Sequence, residues 1–213
     1  MDSYHKINSI FMRDLKAPKK PFIVGEFCDP AVEYLKDCIW EWTEKIDGTN
    51  LRVLFDSQNI TFKGKTDNSQ IPAAMYEKLQ KTFLNEEMTN KLKNLFVDTE
   101  VCFYGEGFGH KIQEPAGSKY LGKGLDLYLF DIKIGDWWLQ RKDVLDIANK
   151  LGLLPPVVVG YGTIDEAINF VKNGFISHFG DAPAEGLVLR PMVDLFDRKG
   201  QRIITKIKTV DFK

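Results

Sequence analysis

The stretch Trp42-Thr43-Glu44-Lys45-Ile46-Asp47-Gly48-Thr49-Asn50-Leu51-Arg52-Val53 decides the fold. It begins as a strand-like run, is interrupted by a polar Asp-Gly-Thr-Asn step, and resumes as a second strand-like run through Phe55. Gly48 allows a backbone conformation that a residue with a Cβ disfavours. The pattern therefore predicts two strands separated by a polar step, with Lys45 at the end of the first strand.

A lysine in this position has two interpretations. Beside a carboxylate and short polar groups it can be a nucleophile, provided that it loses its proton and its target phosphate is held in line. The Lys-x-Asp-Gly pattern alone, however, is more typical of a hairpin turn with a solvated lysine. The remainder of the chain has to decide between them.

Composition limits the class of protein. The 213 residues (24.4 kDa) predict one domain, 1–213, able to bury a core without disulfides or metal. A formal net charge of −1 excludes a global basic field, so any nucleic-acid surface must be local. Cys28, Cys38 and Cys102 include no Cys-x-x-Cys pair, which argues against a zinc site and fits a reducing cytoplasm. We expect no membrane partner, because no apolar run reaches the roughly 18 residues of a span.

Hydrophobic periodicity predicts an α+β fold of antiparallel β-sheets flanked by helices. We expect irregular structure in 1–38 with a short helix after Asp29, a possible N-cap, and a helical pattern over about 72–96. Further helices are expected from Asp143 and from Thr163, which is a cap-like residue. Strands are predicted at 39–45, 51–55, 59–63, 100–104, 125–132, 186–190 and 202–208, with a Gly-rich connection over 105–124.

Two phosphate-loop patterns are misleading. Gly117–Gly124 matches Gly-x-x-x-x-Gly-Lys, but it lacks the following Ser or Thr and no strand leads into it. Gly105–Gly109 has the wrong spacing for a dinucleotide fingerprint. The three histidines are scattered, which argues against a His-based metal site or triad.

Six short polar motifs at strand ends follow one another along the chain. Each alone is typical of a turn, a core aromatic or an edge strand, but their order is informative. They are Glu44–Asn50, Lys63–Asp67, Phe103–Glu106, Tyr128–Asp131, Ala184–Pro191 and Thr205–Lys208.

This ordered set resembles the covalent nucleotidyltransferase superfamily of polynucleotide ligases and mRNA-capping enzymes, over about residues 39–208. Within it, the sequence is most similar to the RNA ligase 2-like family of ATP-dependent RNA ligases. Asn50 distinguishes this family from DNA ligases and capping enzymes, which usually carry Arg at that position. The Phe-Tyr-Gly-Glu-Gly-Phe-Gly-x-x-Ile-Gln run, ending at Gln113, also resembles the RNA ligases. The resemblance implies a nucleotidyltransferase (ligase adenylation) domain, with the nucleotide site between its sheets.

The resemblance also implies residue roles. Lys45 would attack the α-phosphate of ATP, expel pyrophosphate and carry AMP as a phosphoramidate. Glu44 would read adenine through its backbone, Phe130 would stack on the base and Glu106 would hold the ribose. Lys65 would lie near the ribose and phosphate. The implied ATP-binding set is Glu44, Lys45, Ile46, Asn50, Lys65, Glu106, Phe130, Glu185, Lys206 and Lys208.

The implied chemistry is physically consistent. Lys206 and Lys208 would favour the neutral Lys45 amine by repelling its ammonium form, and would stabilise negative charge on the phosphate. A triphosphate also needs Mg²⁺ or Mn²⁺, hard cations that prefer oxygen ligands. Asp47 and Glu185 would hold the metal, directly or through water.

Two residues depart from the family pattern. Lys65 stands where the family usually has Arg, so bidentate phosphate recognition is lost while a charge remains. Asp47 stands where some members have His.

The expected function is that of a cytoplasmic RNA-repair ligase. It would transfer AMP to a 5′-phosphate RNA end, possibly in a nicked duplex, and join that end to a 3′-OH. Only five residues follow Lys208. We therefore expect no C-terminal OB-fold or helical domain, and either a minimal ligase, a chain cut at the domain edge or a partner that supplies the domain. The alternatives are a capping-type guanylyltransferase or DNA ligase, and a catalytically silent module that binds RNA ends.

Overall fold

The computed structural model describes residues 3–212. Within them the chain forms two compact units. The first unit comprises residues 3–5 and 47–156, and the second unit comprises residues 6–46 and 157–212. Each unit has its own hydrophobic core. The single-domain prediction for 1–213 stays a prediction.

Strands and helices alternate irregularly along the chain. The strands are β1 (Asn8–Ser9), β2 (Phe11–Arg13), β3 (Phe22–Phe27), β4 (Trp40–Lys45), β5 (Thr49–Phe55), β6 (Ile60–Gly64), β7 (Val101–Gly109), β8 (Leu125–Ile134), β9 (Trp137–Trp138), β10 (Val158–Gly162), β11 (Gly186–Pro191) and β12 (Thr205–Lys208). The helices are α1 (Pro30–Tyr34), α2 (Ala73–Phe83), α3 (Glu86–Leu95), α4 (Ala116–Leu121), α5 (Arg141–Leu151) and α6 (Ile164–Asn173), with a 3-10 helix at Thr209–Phe212.

The first unit is built on an antiparallel sheet of order β6-β5-β7-β8-β9. Alternation along β5 sends Leu51, Val53 and Phe55 into the core, where buried residues of α2, α3 and α5 also lie. Residues 50, 52 and 54 therefore point to the opposite face. That face carries the polar side chains of Asn50 and Arg52.

The second unit is built on a sheet of order β1-β12-β11-β4-β10. Its core contains Trp40 and Trp42 of β4 with Ile164 and Ile168 of α6. Strand β11 lies between β4 and β12 and pairs antiparallel with both. This pairing aligns the ends of three strands that are far apart in sequence.

The α+β prediction is confirmed, with local corrections. The helical pattern over 72–96 is confirmed and holds two helices, α2 and α3, because Asn85 caps the second one by accepting a hydrogen bond from the Met88 N–H (2.9 Å). The Gly-rich connection contains α4 and the end of β7. The capping role of Thr163 is confirmed by a capping box with Glu166.

The N-terminal region is more ordered than the sequence indicates. Strands β2 and β3 pair with each other, and β1 pairs in parallel with β12. The short helix after Asp29 is confirmed, since Asp29 caps it through the Ala31 N–H (2.8 Å). Strand β1 is two residues long, which is too short for alternation to reveal it.

Candidate active site

Three charged residues meet in the second unit. Lys45 ends β4, Glu185 directly precedes β11, and Lys208 ends β12. The Nζ of Lys45 lies 2.5 Å from Oε2 of Glu185, and the Nζ of Lys208 lies 2.5 Å from Oε1 of the same carboxylate. All three side chains are partly buried, and Glu185 is only 11% exposed. One carboxylate is therefore shared by two lysines.

Gly186 makes this arrangement possible. It lies opposite both Lys45 and Lys208 in the sheet register. Its φ is +154°, and a Cβ built on it would lie 2.0 Å from the carbonyl oxygen of Ile207. A larger residue would push β12 away, and Lys208 with it.

Lys206 shares a strand face with Lys208. The two residues are separated by Ile207, which is fully buried in the second-unit core. Alternation therefore turns both lysines away from that core. Lys206 is opposite Val188 of β11, two pairs along the ladder from the pair of Lys208 and Gly186.

Glu44 has a partner that sequence reasoning missed. Its carboxylate is completely buried and accepts hydrogen bonds from the backbone N–H of His178 (3.0 Å) and from the ring Nδ1 (2.9 Å). The scattered histidines offered no signal for this contact. Ile46, also in the predicted ATP-binding set, is buried.

In the first unit, Asn50 and Glu106 lie directly opposite each other on β5 and β7. Residues paired in this way have Cβ atoms about 5 Å apart on one face. The Oδ1 of Asn50 is buried and has no hydrogen-bond partner among residues 3–212. Such a buried acceptor costs free energy unless a donor reaches it, so it suits a polar ligand.

The polar step itself is packed against β7. A Cβ on Gly48 would lie 2.4 Å from the carbonyl oxygen of Gly107, so only glycine fits here. The Asp47 N–H donates to the hydroxyl of Tyr120 (3.1 Å), and Gln113 donates to the carbonyl of Gly48 (3.3 Å). Tyr120 is another residue that the motifs did not identify.

Phe130 lies at an irregularity of β8. Leu129 and Ile132 both enter the core, and the register shifts between them. The partly buried Phe130 ring packs edge-on against Tyr4, with centroids 5.0 Å apart. The Tyr4 hydroxyl donates to Asp131 (2.8 Å), which fixes the ring that contacts Phe130.

Lys65 is exposed on the loop after β6, and Arg52 supports that loop. Arg52 is 1% exposed; its Nε donates to the Gly64 carbonyl (3.0 Å) and its Nη2 to Asp67 (2.8 Å). Lys63 also contacts Asp67 (3.2 Å). The hydrogen bond from Arg52, followed by that from Lys63, holds the pKa of Asp67 below its usual value.

The predicted metal ligands fall in different units, with Asp47 in the first and Glu185 in the second. Over residues 3–212 there is no group of three or more His, Cys, Asp or Glu side chains able to hold a metal ion. Both predicted ligands are carboxylates, which match the oxygen preference of Mg²⁺ and Mn²⁺. The remaining ligands would have to be water or phosphate oxygens.

Across the same described residues, every helix is too short or too polar to cross a bilayer.

Several solved structures of RNA ligases share this fold. One variant of Naegleria gruberi RNA ligase, with ATP and Mn, matches with a TM-score of 0.67 and 18% identity, covering 98% of this chain and 56% of that one. A second variant, without ligands, matches with a TM-score of 0.65 and 20% identity, covering 86% of this chain and 53% of that one. A third variant, with AMP and Mn, matches with a TM-score of 0.62 and 21% identity, covering 84% of this chain and 52% of that one. This chain thus has the nucleotidyltransferase fold of RNA ligases and spans about half the length of those proteins.

The family follows from the sequence. A model of the RNA ligase family matches residues 39–208, which is most of the chain. The protein belongs to the RNA ligase family. A comparison with curated protein sequences found no significant match.

Proposed function

We propose that this protein is an ATP-dependent RNA ligase whose residues 1–213 act as one adenylation domain. The observation that carries the proposal is the Lys45–Glu185–Lys208 cluster within the residues that match the RNA ligase family. Lys45 is the nucleophile. Its Nζ forms a P–N bond to the α-phosphorus of ATP, the bond to pyrophosphate breaks, and the amine loses a proton.

Glu185 and the two β12 lysines assist this step. Glu185 contacts the Lys45 amine directly, so it is placed to accept the departing proton. Lys208 and Lys206 carry positive charge to the phosphate oxygens as negative charge builds on them. Because Lys208 already pairs with Glu185, protonation of that carboxylate frees Lys208 for the phosphate.

The nucleotide roles implied by the resemblance are part of the proposal. The backbone of Glu44 reads adenine beside Ile46, Phe130 stacks on the base, Glu106 binds ribose and Lys65 binds ribose or phosphate. Asn50, with its buried acceptor, organises the phosphate side. Asp47 and Glu185 are the carboxylates for Mg²⁺ or Mn²⁺, which would neutralise phosphate charge; similar structures contain ATP and Mn.

Two further steps complete the reaction. AMP passes from Lys45 to the 5′-phosphate of an RNA end, forming a 5′–5′ pyrophosphate linkage. A 3′-OH then attacks that phosphate, forms the phosphodiester and releases AMP. This chemistry fits RNA repair in the cytoplasm. The substrates would be free RNA ends or nicked duplexes. A partner would supply any further domain that holds the nucleic acid beyond the adenylation domain.

Covalent labelling tests the first step. The protein is incubated with α-³²P-ATP and Mg²⁺ or Mn²⁺, denatured and examined for bound label. Wild type should be labelled, Lys45→Arg should not, and Lys93→Ala, at an exposed position of α3, should match wild type. Arg preserves the charge but lacks a displaceable amine nucleophile. Absence of label in wild type, or equal label in Lys45→Arg, would refute the proposal.

The same assay separates the alternatives. Preferential labelling by α-³²P-GTP would favour a capping-type guanylyltransferase. Sealing of all-DNA nicks without RNA joining would favour a DNA ligase. RNA binding without any covalent intermediate would favour a silent RNA-end-binding module.

A further inference from the structure

The segment Phe175–Glu185, which joins α6 to β11, is a small hairpin. The Ser177 N–H donates to the Ala182 carbonyl (2.8 Å), and the Ala184 N–H donates to the Phe175 carbonyl (2.9 Å). Ile176 and Pro183 form a β-bridge between the two arms. We call this segment the 175–185 hairpin; its tip carries His178 and its last residue is Glu185.

The tip is attached to β4 through Glu44. A completely buried carboxylate needs hydrogen-bond donors, and His178 provides two, one from its backbone and one from its ring. Since an ionised carboxylate only accepts, the ring must donate from Nδ1. His178 is 48% exposed, so burial alone does not hold it in place.

The other end of the hairpin is attached to the next residue of the same strand. Lys45 pairs with Glu185, while Glu44 pairs with His178. Neighbouring residues of a strand point to opposite faces, so β4 holds the hairpin from both of its faces. The distance from the Lys45 amine to its carboxylate partner thus depends on two attachments.

We propose that His178 is a positioning residue, which acts through Glu44 and the 175–185 hairpin to set Glu185 against the Lys45 amine. The inference rests on the proposed function, because it assigns His178 to the first, self-adenylylating step. Without the ring donor the attachment of the tip to Glu44 is reduced to the hydrogen bond from the His178 backbone N–H, and the position of Glu185 then depends more on the two lysines and on its backbone contact with Thr209.

Three substitutions separate the hydrogen bond from packing. His178→Phe keeps a ring without a donor, and His178→Asn keeps an N–H at the branch position of Nδ1 without the ring. His178→Ala removes both. Asn169→Ala, at an exposed position on the helix that leads into the hairpin, is the matched control.

The first readout is the rate of AMP transfer to Lys45 under single-turnover conditions. In the His178→Phe and His178→Ala variants this rate should fall by about 10- to 100-fold, as expected for a small displacement of a reacting group. In the His178→Asn variant the rate should stay within about threefold of the wild-type rate, because the donor is kept. The KM for ATP should change less than the rate of AMP transfer, because Glu185 contacts the Lys45 amine, which is the reacting group. A Phe variant as fast as wild type, or an Asn variant as slow as Ala, overturns the proposal.

The second readout does not depend on catalysis. Amide hydrogen exchange at Ser177 and Ala184 should accelerate in the Phe and Ala variants but remain slow in the Asn variant and the control. If wild type is not labelled by ATP, the proposed function fails, while exchange still decides whether His178 holds the hairpin. Unchanged exchange in the Phe variant contradicts the inference even if ligation is observed.

Discussion

The two units of this protein place their predicted functional residues in different ways. In the second unit, Lys45, Glu185 and Lys208 contact one another directly through a shared carboxylate. In the first unit, Asn50 and Glu106 are aligned on one rung of a sheet, and the buried Oδ1 of Asn50 has no partner among residues 3–212. The predicted residues of the second unit thus pair with one another, whereas those of the first unit share a sheet face.

This difference suggests a division of labour. Charges that neutralise each other can be held ready without a ligand, since each lysine has a carboxylate within reach. A buried acceptor such as Oδ1 of Asn50 gains a hydrogen bond when a polar ligand arrives. We therefore expect substitutions in the second unit to affect the chemical step and substitutions in the first unit to affect nucleotide binding.

Glu185→Gln should have the largest effect. It removes the charge shared by Lys45 and Lys208 and leaves two lysines beside a neutral amide. The rate of AMP transfer should fall by about 100-fold or more, in line with the loss of a positioned general base. Single-turnover labelling measures it, with Glu33→Gln on exposed α1 as control. A loss confined to the KM for ATP would argue against the division of labour.

Asn50→Ala should have the next largest effect, on a different parameter. Loss of one charge-neutral hydrogen bond to a ligand costs about 1 kcal/mol, or roughly fivefold in affinity. The KM for ATP should rise while the maximal labelling rate changes little. Because Oδ1 of Asn50 has no partner in the part of the chain that the structure describes, the thermal midpoint should be unchanged or higher. A fall in the midpoint would show that Asn50 has a structural role.

Arg52→Met tests a structural role within the first unit. The change leaves the Gly64 carbonyl and Asp67 without the buried guanidinium, at a cost of about 2 kcal/mol in unfolding free energy. Urea denaturation measures the loss. Lys63→Ala, which removes only the exposed pair with Asp67, should cost less than about 0.5 kcal/mol. Equal losses in the two variants would mean that the buried contacts of Arg52 do not stabilise the loop.

The smallest effect concerns pH. Because the pKa of Asp67 is lowered in the folded state, its contribution to stability is present above the unfolded pKa of about 3.9. That contribution is lost as pH falls through the folded-state pKa. The urea midpoints of wild type and Asp67→Asn should therefore differ near neutral pH and converge on acidification. A difference that grows at low pH would contradict this.

The sequence identified the residues of the Lys45–Glu185–Lys208 cluster better than the residues that support them. Periodicity located β4, β5 and β8, and the ordered motifs singled out Lys45, Glu185 and Lys208, which the structure brings together. It did not reveal His178, because its partner Glu44 is 134 residues away and His178 itself belongs to none of the six motifs. Arg52 was predicted only as a strand residue, because nothing in its own strand indicates its contacts with Gly64 and Asp67.

Local sequence by itself determined the longer strands around the motifs, the helix caps at Asp29 and Thr163, and the family, since alternation, capping residues and short motifs act over a few neighbouring positions. Tertiary structure alone decided that β11 lies between β4 and β12, and hence that one carboxylate meets two lysines. Lys45 and Glu185 are 140 residues apart, and a slip of one residue in strand register would turn them to opposite faces. Register is fixed by the burial of the whole sheet, so it cannot be determined from either motif alone.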